Sequence, residues 1–171
     1  VKGSYTGAAN RPGLFEAADG GTLFLDEINS MDLAMQAKIL KAIEEKRANR
    51  IGDVRPFSFD VKIISATNEN PYECVRNKTM REDLLYRLNT VQIDIPPLRE
   101  RLADVRFLTE YFIAFFNARM NRNVLGVTDE VMEIFEGYNW PGNVRELRNI
   151  IEGAFNIIGS RMIHKENLPL Y

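Results

Sequence analysis

Thr22-Leu23-Phe24-Leu25-Asp26-Glu27 decides the fold of this 171-residue chain. A short, unbroken apolar run suits a strand buried on both faces, as in a parallel sheet. Two carboxylates then close it at its carboxyl end, where open parallel sheets gather their ligands. Neighbouring residues on an extended chain point in opposite directions, so Asp26 and Glu27 suit two tasks better than one shared proton. One can hold a magnesium ion through water, and the other can orient an attacking water. The plainer alternative is a turn begun by Asp26 with Glu27 solvated.

Outward from that strand the chain alternates. Residues 1–21 are glycine-rich loop around the apolar patch Leu14–Ala18. From Asp32 to Lys46, Leu33, Ala37, Leu40 and Ile43 recur at helical spacing. Arg47–Phe57 reads as a polar loop or hairpin. A second strand is expected at Val61–Ala66, tipped by Thr67-Asn68, and a third at Val91–Ile95, stopped by Pro96-Pro97. Strand, helix, strand implies a crossover and an α/β fold with a parallel sheet. Thr67 and Asn68 then open onto the same edge as Asp26 and Glu27; alone, a Thr-Asn pair marks a strand-ending turn.

Beyond Arg101 the pattern is all-helical. Val105, Leu108, Phe112, Phe115 and Phe116 form one apolar face. A helix from Asp129 to Tyr138 is expected behind Thr128 as N-cap, and another after Pro141-Gly142-Asn143 with Val144, Leu147, Ile151, Ala154 and Ile158 in a stripe. The boundary is placed near residue 99, with an α/β part at 1–99 and a small helical part at 100–171.

Composition removes several classes of function. A formal net charge of -2 gives no global basic field for nucleic acid. Cys74 is the single cysteine, which excludes an internal disulfide or an all-cysteine metal site and fits a reducing cytoplasm. His164 has no second histidine and reads as a surface residue. Cys74 has no triad candidates beside it, and Trp140 reads as an anchor for the turn into the last helix. No apolar run is long enough to span a membrane as a helix.

The ordered blocks Gly3-Ser4-Tyr5-Thr6-Gly7-Ala8, Gly20–Ile28, Ala66-Thr67-Asn68, Arg81–Asn89, Pro96–Arg101 and Trp140–Leu147 resemble the central domain of sigma-54-dependent transcription activators, a branch of the AAA+ ATPases. The similarity runs over nearly the whole chain, and the most distinctive block is Gly3–Ala8. It implies a partial AAA+ P-loop-type sheet followed by a helical lid, with ATP and Mg2+ as cofactors. It implies that Asp26 and Glu27 are the Walker B pair, with Asp26 holding magnesium through water and Glu27 activating water. Thr67 and Asn68 match the first sensor, and Arg145 the second. Arg81 and Arg87 match arginine fingers that reach the nucleotide of a neighbouring subunit. An always-protonated guanidinium can stabilise the charge spread over the γ-phosphate there. A surface ion pair with Glu82 or Asp83 is the plainer role for either arginine.

Arg145 carries an independent hint. With Asn143 as N-cap it falls in the first helical turn, where a cation opposes the helix dipole unless an anion is near. The plainer reading pairs it with Glu146, and Arg148 reads as solvated. In the family Gly3–Ala8 forms a loop that touches the sigma factor; the commoner form has alanine and phenylalanine where this chain has Ser4 and Tyr5. Glycines at both ends allow a mobile tip that presents Tyr5 and Thr6. The segment with Arg47, Arg50 and Arg55 matches a second family insertion that supports the loop, or is a solvated face.

The implied partners are the sigma-54 factor with RNA polymerase holoenzyme, further copies in a hexameric ring, and DNA through a helix-turn-helix outside this stretch. No membrane partner is implied. The 171 residues contain no Gly-x-x-x-x-Gly-Lys-[Ser/Thr] phosphate loop. Truncation is the expected cause, and by itself this stretch is expected to hydrolyse ATP poorly. The strand feeding that loop lies, in the family, between those matching Val61–Ala66 and Val91–Ile95. Its absence is expected to leave unpaired backbone on both neighbours. Pairing with another copy, rearrangement or support from the surroundings would follow. Other AAA+ remodelling machines and a non-catalytic interaction domain remain the alternative classes.

Overall fold

The computed structural model describes residues 12–50, 55–159 and 161–168. The chain divides into two compact units, 1–92 and 93–171.

The first unit is mixed α/β. Helix α1 (Leu14–Ala17) precedes strand β1 (Thr22–Leu25), and α2 (Leu33–Glu45) follows a short 3-10 turn, Ile28–Ser30. Asp32 caps α2 by accepting from the Met35 N–H. Strands β2 (Arg47–Asn49) and β3 (Pro56–Ser58) pair antiparallel, as the hairpin alternative for 47–57 requires of the residues described there. Strand β4 (Lys62–Ser65) then pairs in parallel with β1, Leu25 opposite Ser65. Helices α3 (Pro71–Arg76) and α4 (Glu82–Leu88) complete the unit.

Its core joins Leu23, Leu25, Ile28, Ile39, Leu40, Cys74, Met80, Leu84 and Leu85. Two expectations are corrected here. The face of α2 turned inward holds Gln36, Ile39, Leu40 and Ala42, whereas Leu33 at the first turn is exposed. Strand β1 is buried on one face only. Leu23 and Leu25 are covered, while Phe24 and its cross-strand partner Ile64 remain about half exposed.

The expected third strand is also corrected. Among the described residues 91–95 joins no strand ladder, and Val91, Ile93 and Ile95 are 77%, 81% and 78% exposed. Alternating β-branched residues favour extension, but a strand without a hydrogen-bonding neighbour gains no ladder. Among the described residues the sheet that contains β1 therefore has two strands.

The second unit is built on α5 (Ala103–Met120), α6 (Asp129–Gly137) and α7 (Asn143–Ile157). Strands β5 (Gly126–Val127) and β6 (Met162–Ile163) form a short parallel clip. Thr128 caps α6 as expected, accepting from the Val131 N–H. Val105, Phe112 and Phe116 of α5 meet Leu147, Ile151, Ala154 and Phe155 of α7 in the core. Phe115, expected on that face, is 40% exposed because its position on the 3.6-residue repeat falls beside the buried arc.

Trp140 organises the turn into α7. It is fully buried, donates from Nε1 to the Phe135 carbonyl at 2.8 Å, and meets Phe135 and Tyr138 edge-on. Trp140 and Asn143 both take left-handed backbone conformations, with φ of 48° and 51°. The turn thus reverses sharply around Pro141-Gly142. Asn143 is not the N-cap: Gly142 holds that place, and Asn143 Oδ1 instead accepts from the Leu98 N–H at 2.8 Å. His164 is partly buried and starts a 3-10 turn in a reciprocal capping arrangement with Asn167.

Candidate functional site at the carboxyl edge of the sheet

Because β1 and β4 run in parallel and in register, their carboxyl ends share one edge. Two backbone bonds extend the pairing past the strands. Ala66 N–H donates to the Leu25 carbonyl at 2.9 Å, and Ile28 N–H to the Ala66 carbonyl at 3.1 Å. Asp26 and Glu27 therefore bulge out of a tied-down turn, both exposed to solvent.

Glu27 adopts a left-handed conformation, φ 48° and ψ 47°. A non-glycine residue there is disfavoured by contact between Cβ and the carbonyl oxygen, and such strain gathers at functional sites. Asp26 Oδ1 accepts from the Glu27 N–H at 3.1 Å. This bond leaves Oδ2 for a ligand. Both carboxylates thus sit in a turn just past the end of β1 rather than on extended strand.

Thr67 and Asn68 meet the same edge. The Thr67 hydroxyl is engaged locally: Oγ1 accepts from the Glu69 N–H and donates to the Glu69 carbonyl, at 3.2 and 3.1 Å. That is the strand-ending turn expected of an isolated Thr-Asn. Asn68 is exposed, and its Oδ1 accepts from Asn29 Nδ2 at 3.0 Å. Asn29 escaped the sequence reading because its spacing matched no motif; burial and this contact reveal it.

Magnesium commonly takes one or two carboxylates, several waters and phosphate oxygens. Among the described residues no group of three or more His, Cys, Asp or Glu residues could hold a metal. A single exposed carboxylate with one free oxygen, Asp26, matches the water-mediated mode. The sequence holds no Gly-x-x-x-x-Gly-Lys-[Ser/Thr] phosphate loop beside these groups.

The arginines lie elsewhere. Arg81 occupies the N-cap position of α4, and its backbone N–H donates to Gln36 Oε1 at 2.9 Å. Gln36 is fully buried and donates also to the carbonyls of Met31 and Thr79, each at 2.8 Å. The Arg81 guanidinium forms a two-pronged pair with Asp83, at 3.0 and 2.7 Å. That hydrogen bond holds the Asp83 carboxyl below its ordinary range and raises Arg81. Arg87, in the last turn of α4, lines a pocket of about 150 Å³ with Ile43, Lys46, Phe59, Val61 and Ile63. Among the described residues neither arginine reaches Asp26 or Glu27 through a hydrogen bond or ion pair.

Arg145 lies in the second unit, exposed in the first turn of α7, with no ion-pair partner among the described residues. Glu146 does not pair with it. Glu146 accepts instead from the Gly142 N–H at 2.8 Å and from the Tyr138 hydroxyl at 3.1 Å. Arg148, expected to be solvated, pairs with Glu152 at 3.7 Å and lies over the Phe116 ring. Arg50 forms a two-pronged pair with Glu16, and that bond depresses the Glu16 pKa. Cys74 is buried, its Sγ 3.7 Å from Glu69 Oε2. Gly3, Ser4, Tyr5, Thr6, Gly7 and Ala8 lie outside the described residues.

No helix among the described residues is long and apolar enough to cross a membrane. Comparison with known proteins gives one consistent answer. Residues 1–94 match the Sigma-54 interaction domain, and residues 99–171 the AAA+ ATPase lid domain. The transcriptional activator RocR of Bacillus subtilis is 48% identical over 98% of the chain, which spans 37% of RocR. The nitrogen fixation protein AnfA of Azotobacter vinelandii is 44% identical over 98% of the chain and 32% of AnfA. The chain therefore spans about a third of the length of these relatives. Among solved structures, NtrX from Brucella abortus superposes with a TM-score of 0.85 at 31% identity, over 91% of the chain and 36% of NtrX. NtrX complexed with ATP gives a TM-score of 0.81. A parallel strand pair ending in Asp26-Glu27, a helical second unit and these matches together mean that the chain belongs to the sigma-54 interaction family of AAA+ ATPase domains.

Proposed function

We propose that this chain is the hydrolytic edge and lid of an ATP-driven motor that remodels sigma-54 RNA polymerase to open promoters. The carrying observation is the common edge of β1 and β4, where Asp26, the strained Glu27 and the tethered Asn68 gather. The ATP complex of NtrX supports the choice of nucleotide. Residues 1–99 contribute the α/β portion with the partner loop, and residues 100–171 the lid.

Bound magnesium supplies charge neutralisation at the phosphates. Asp26 would hold it through water. Glu27 would orient a water and accept its proton as the water oxygen bonds to the terminal phosphorus, while the bond from that phosphorus to the β–γ bridging oxygen breaks and ADP leaves. Asn68 directs amide N–H groups at the phosphate or the water, and the Thr67 turn fixes the backbone beneath it. Arg81 and Arg87 present guanidinium groups to the nucleotide of the next subunit in a hexameric ring. Arg145, in the first turn of α7, needs an anion to offset the helix dipole, and a phosphate meets that need. Gly3–Ala8 carries Tyr5 and Thr6 to the sigma factor. A helix-turn-helix elsewhere in the protein reads DNA, and the assembly works in the cytoplasm.

The deciding experiment is Glu27→Gln in the full-length protein, with ATP binding and hydrolysis measured separately. Hydrolysis is expected to fall by about 10²-fold or more while binding persists, because general-base assistance contributes about 10²–10⁴-fold. Hydrolysis at the unsubstituted rate would remove the reading.

A further inference from the structure

Asn29 sits in the 3-10 turn directly after Glu27, 9% exposed, with its Oδ1 buried and unpartnered. A buried amide left half-satisfied costs free energy, so the position is not explained by stability alone. Among the described residues its side-chain bond runs from Nδ2 to Oδ1 of exposed Asn68, 39 residues further along the chain. This contact forms a third rung above the Ala66–Leu25 and Ile28–Ala66 backbone bonds, reaching beyond the end of the strand ladder.

We propose that Asn29 is a positioning residue for hydrolysis, holding the Asn68 carbonyl inward so that the Asn68 NH2 group is presented at the open strand-end edge. The proposal rests on the hydrolytic role given to Asn68 above. An asparagine amide has two nearly isosteric orientations, and only one offers N–H donors outward. Asn29 selects it. With Nδ2 turned to Asn68, only a hydrogen-bond acceptor can face it, so the Asn68 oxygen is drawn in and its nitrogen turned out. The same contact ties the strained Glu27 turn to the tip of β4. The groups that orient water and those that touch phosphate thereby share one rigid connection.

The test uses the full-length protein and reads the kcat and KM for ATP, nucleotide affinity and thermal unfolding. Asn29→Asp keeps the shape and removes the donor; Asn29→Ala removes the group. Each is expected to lower kcat about tenfold, leave nucleotide affinity within about twofold and leave the protein folded, since about 1.4 kcal/mol of orientation energy corresponds to tenfold. In an Asn68→Ala background, Asn29→Ala is expected to lower kcat no further. An unchanged kcat in both single variants overturns the proposal while the Asn68 role stands. A loss of equal factor in both backgrounds also overturns it, because Asn29 then acts independently of Asn68. If Asn68→Ala itself leaves kcat unchanged, the hydrolytic role of Asn68 and this proposal fall together.

Discussion

The backbone N–H of Arg81 donates to the side-chain oxygen of Gln36, 45 residues earlier, at 2.9 Å. The same amide donates to the Met31 and Thr79 carbonyls, so one buried side chain joins the start of α2 to the segment entering α4. The backbone carrying a proposed finger arginine is thus fixed from the core. The guanidinium remains at the surface and is aimed by Asp83.

Gln36→Ala is expected to leave three backbone groups short of a partner and to cost about 2–4 kcal/mol in unfolding free energy. Gln36→Glu keeps an acceptor for Arg81 but turns negative oxygen toward two carbonyls. It should destabilise at least as much at neutral pH. Chemical denaturation of each variant provides the check, and a loss below about 0.5 kcal/mol for Gln36→Ala would contradict the linkage.

The proposal that Arg81 acts across a subunit boundary makes a complementation prediction. Full-length Arg81→Ala and Glu27→Gln proteins should each be nearly inactive, the former by about 10³-fold or more. Mixing them creates interfaces that combine an intact Glu27 with an intact Arg81, so hydrolysis should reappear. A mixture as inactive as its components would place Arg81 in a purely local ion pair with Asp83. Such an exposed pair contributes at most about 1 kcal/mol.

Trp140 and Gly142 hold the entrance to α7. Trp140→Ala is expected to cost about 3–5 kcal/mol through lost packing, and Trp140→Phe about 0.5–1.5 kcal/mol through loss of the indole hydrogen bond, since the Phe135 carbonyl still accepts from the Tyr138 N–H at 3.5 Å. A Cβ at Gly142 would lie 2.7 Å from Glu146 Cβ, displacing the carboxylate that caps the helix. Gly142→Ala should therefore cost about 1–2 kcal/mol. Thermal unfolding followed by Trp140 fluorescence tests the alanine substitution at Gly142.

Acid should weaken the first unit through defined pairs. Asp83, Asp60 and Glu16 titrate below their ordinary values because Arg81, Lys46 and Arg50 hydrogen-bond to them. A depressed folded-state pKa gives stability that is complete above the unfolded value, about 4. It vanishes as pH falls through the lower folded values. All three groups are solvent-screened, so the expected change is small. Melting temperatures between pH 5 and pH 2 should fall less steeply in Asp83→Asn than in the unsubstituted protein; identical slopes would argue against the pair.

Removal of Gly3–Ala8 from the full-length protein is expected to abolish transcription activation while leaving ATP hydrolysis intact. A coupled assay that lost both together would assign the segment to the motor's assembly rather than to partner contact. The isolated 171-residue polypeptide, lacking a phosphate loop, should turn over ATP poorly.

Local signals carried far in this chain. The run Thr22–Leu25 with Asp26-Glu27, the Asp32 and Thr128 caps and the apolar stripes of α6 and α7 needed only neighbours in sequence to be read. Tertiary structure alone decided the rest. Val91–Ile95 has strand chemistry but no partner ladder, and Phe24 and Ile64 are apolar yet face solvent. Asn29 and Gln36 are recognised through bonds that reach residues 39 and 45 positions away. Asn143 spends its side chain on Leu98 rather than on its own helix. Propensity and periodicity are properties of a segment, whereas burial and hydrogen-bond pairing belong to whatever the folded chain brings alongside it.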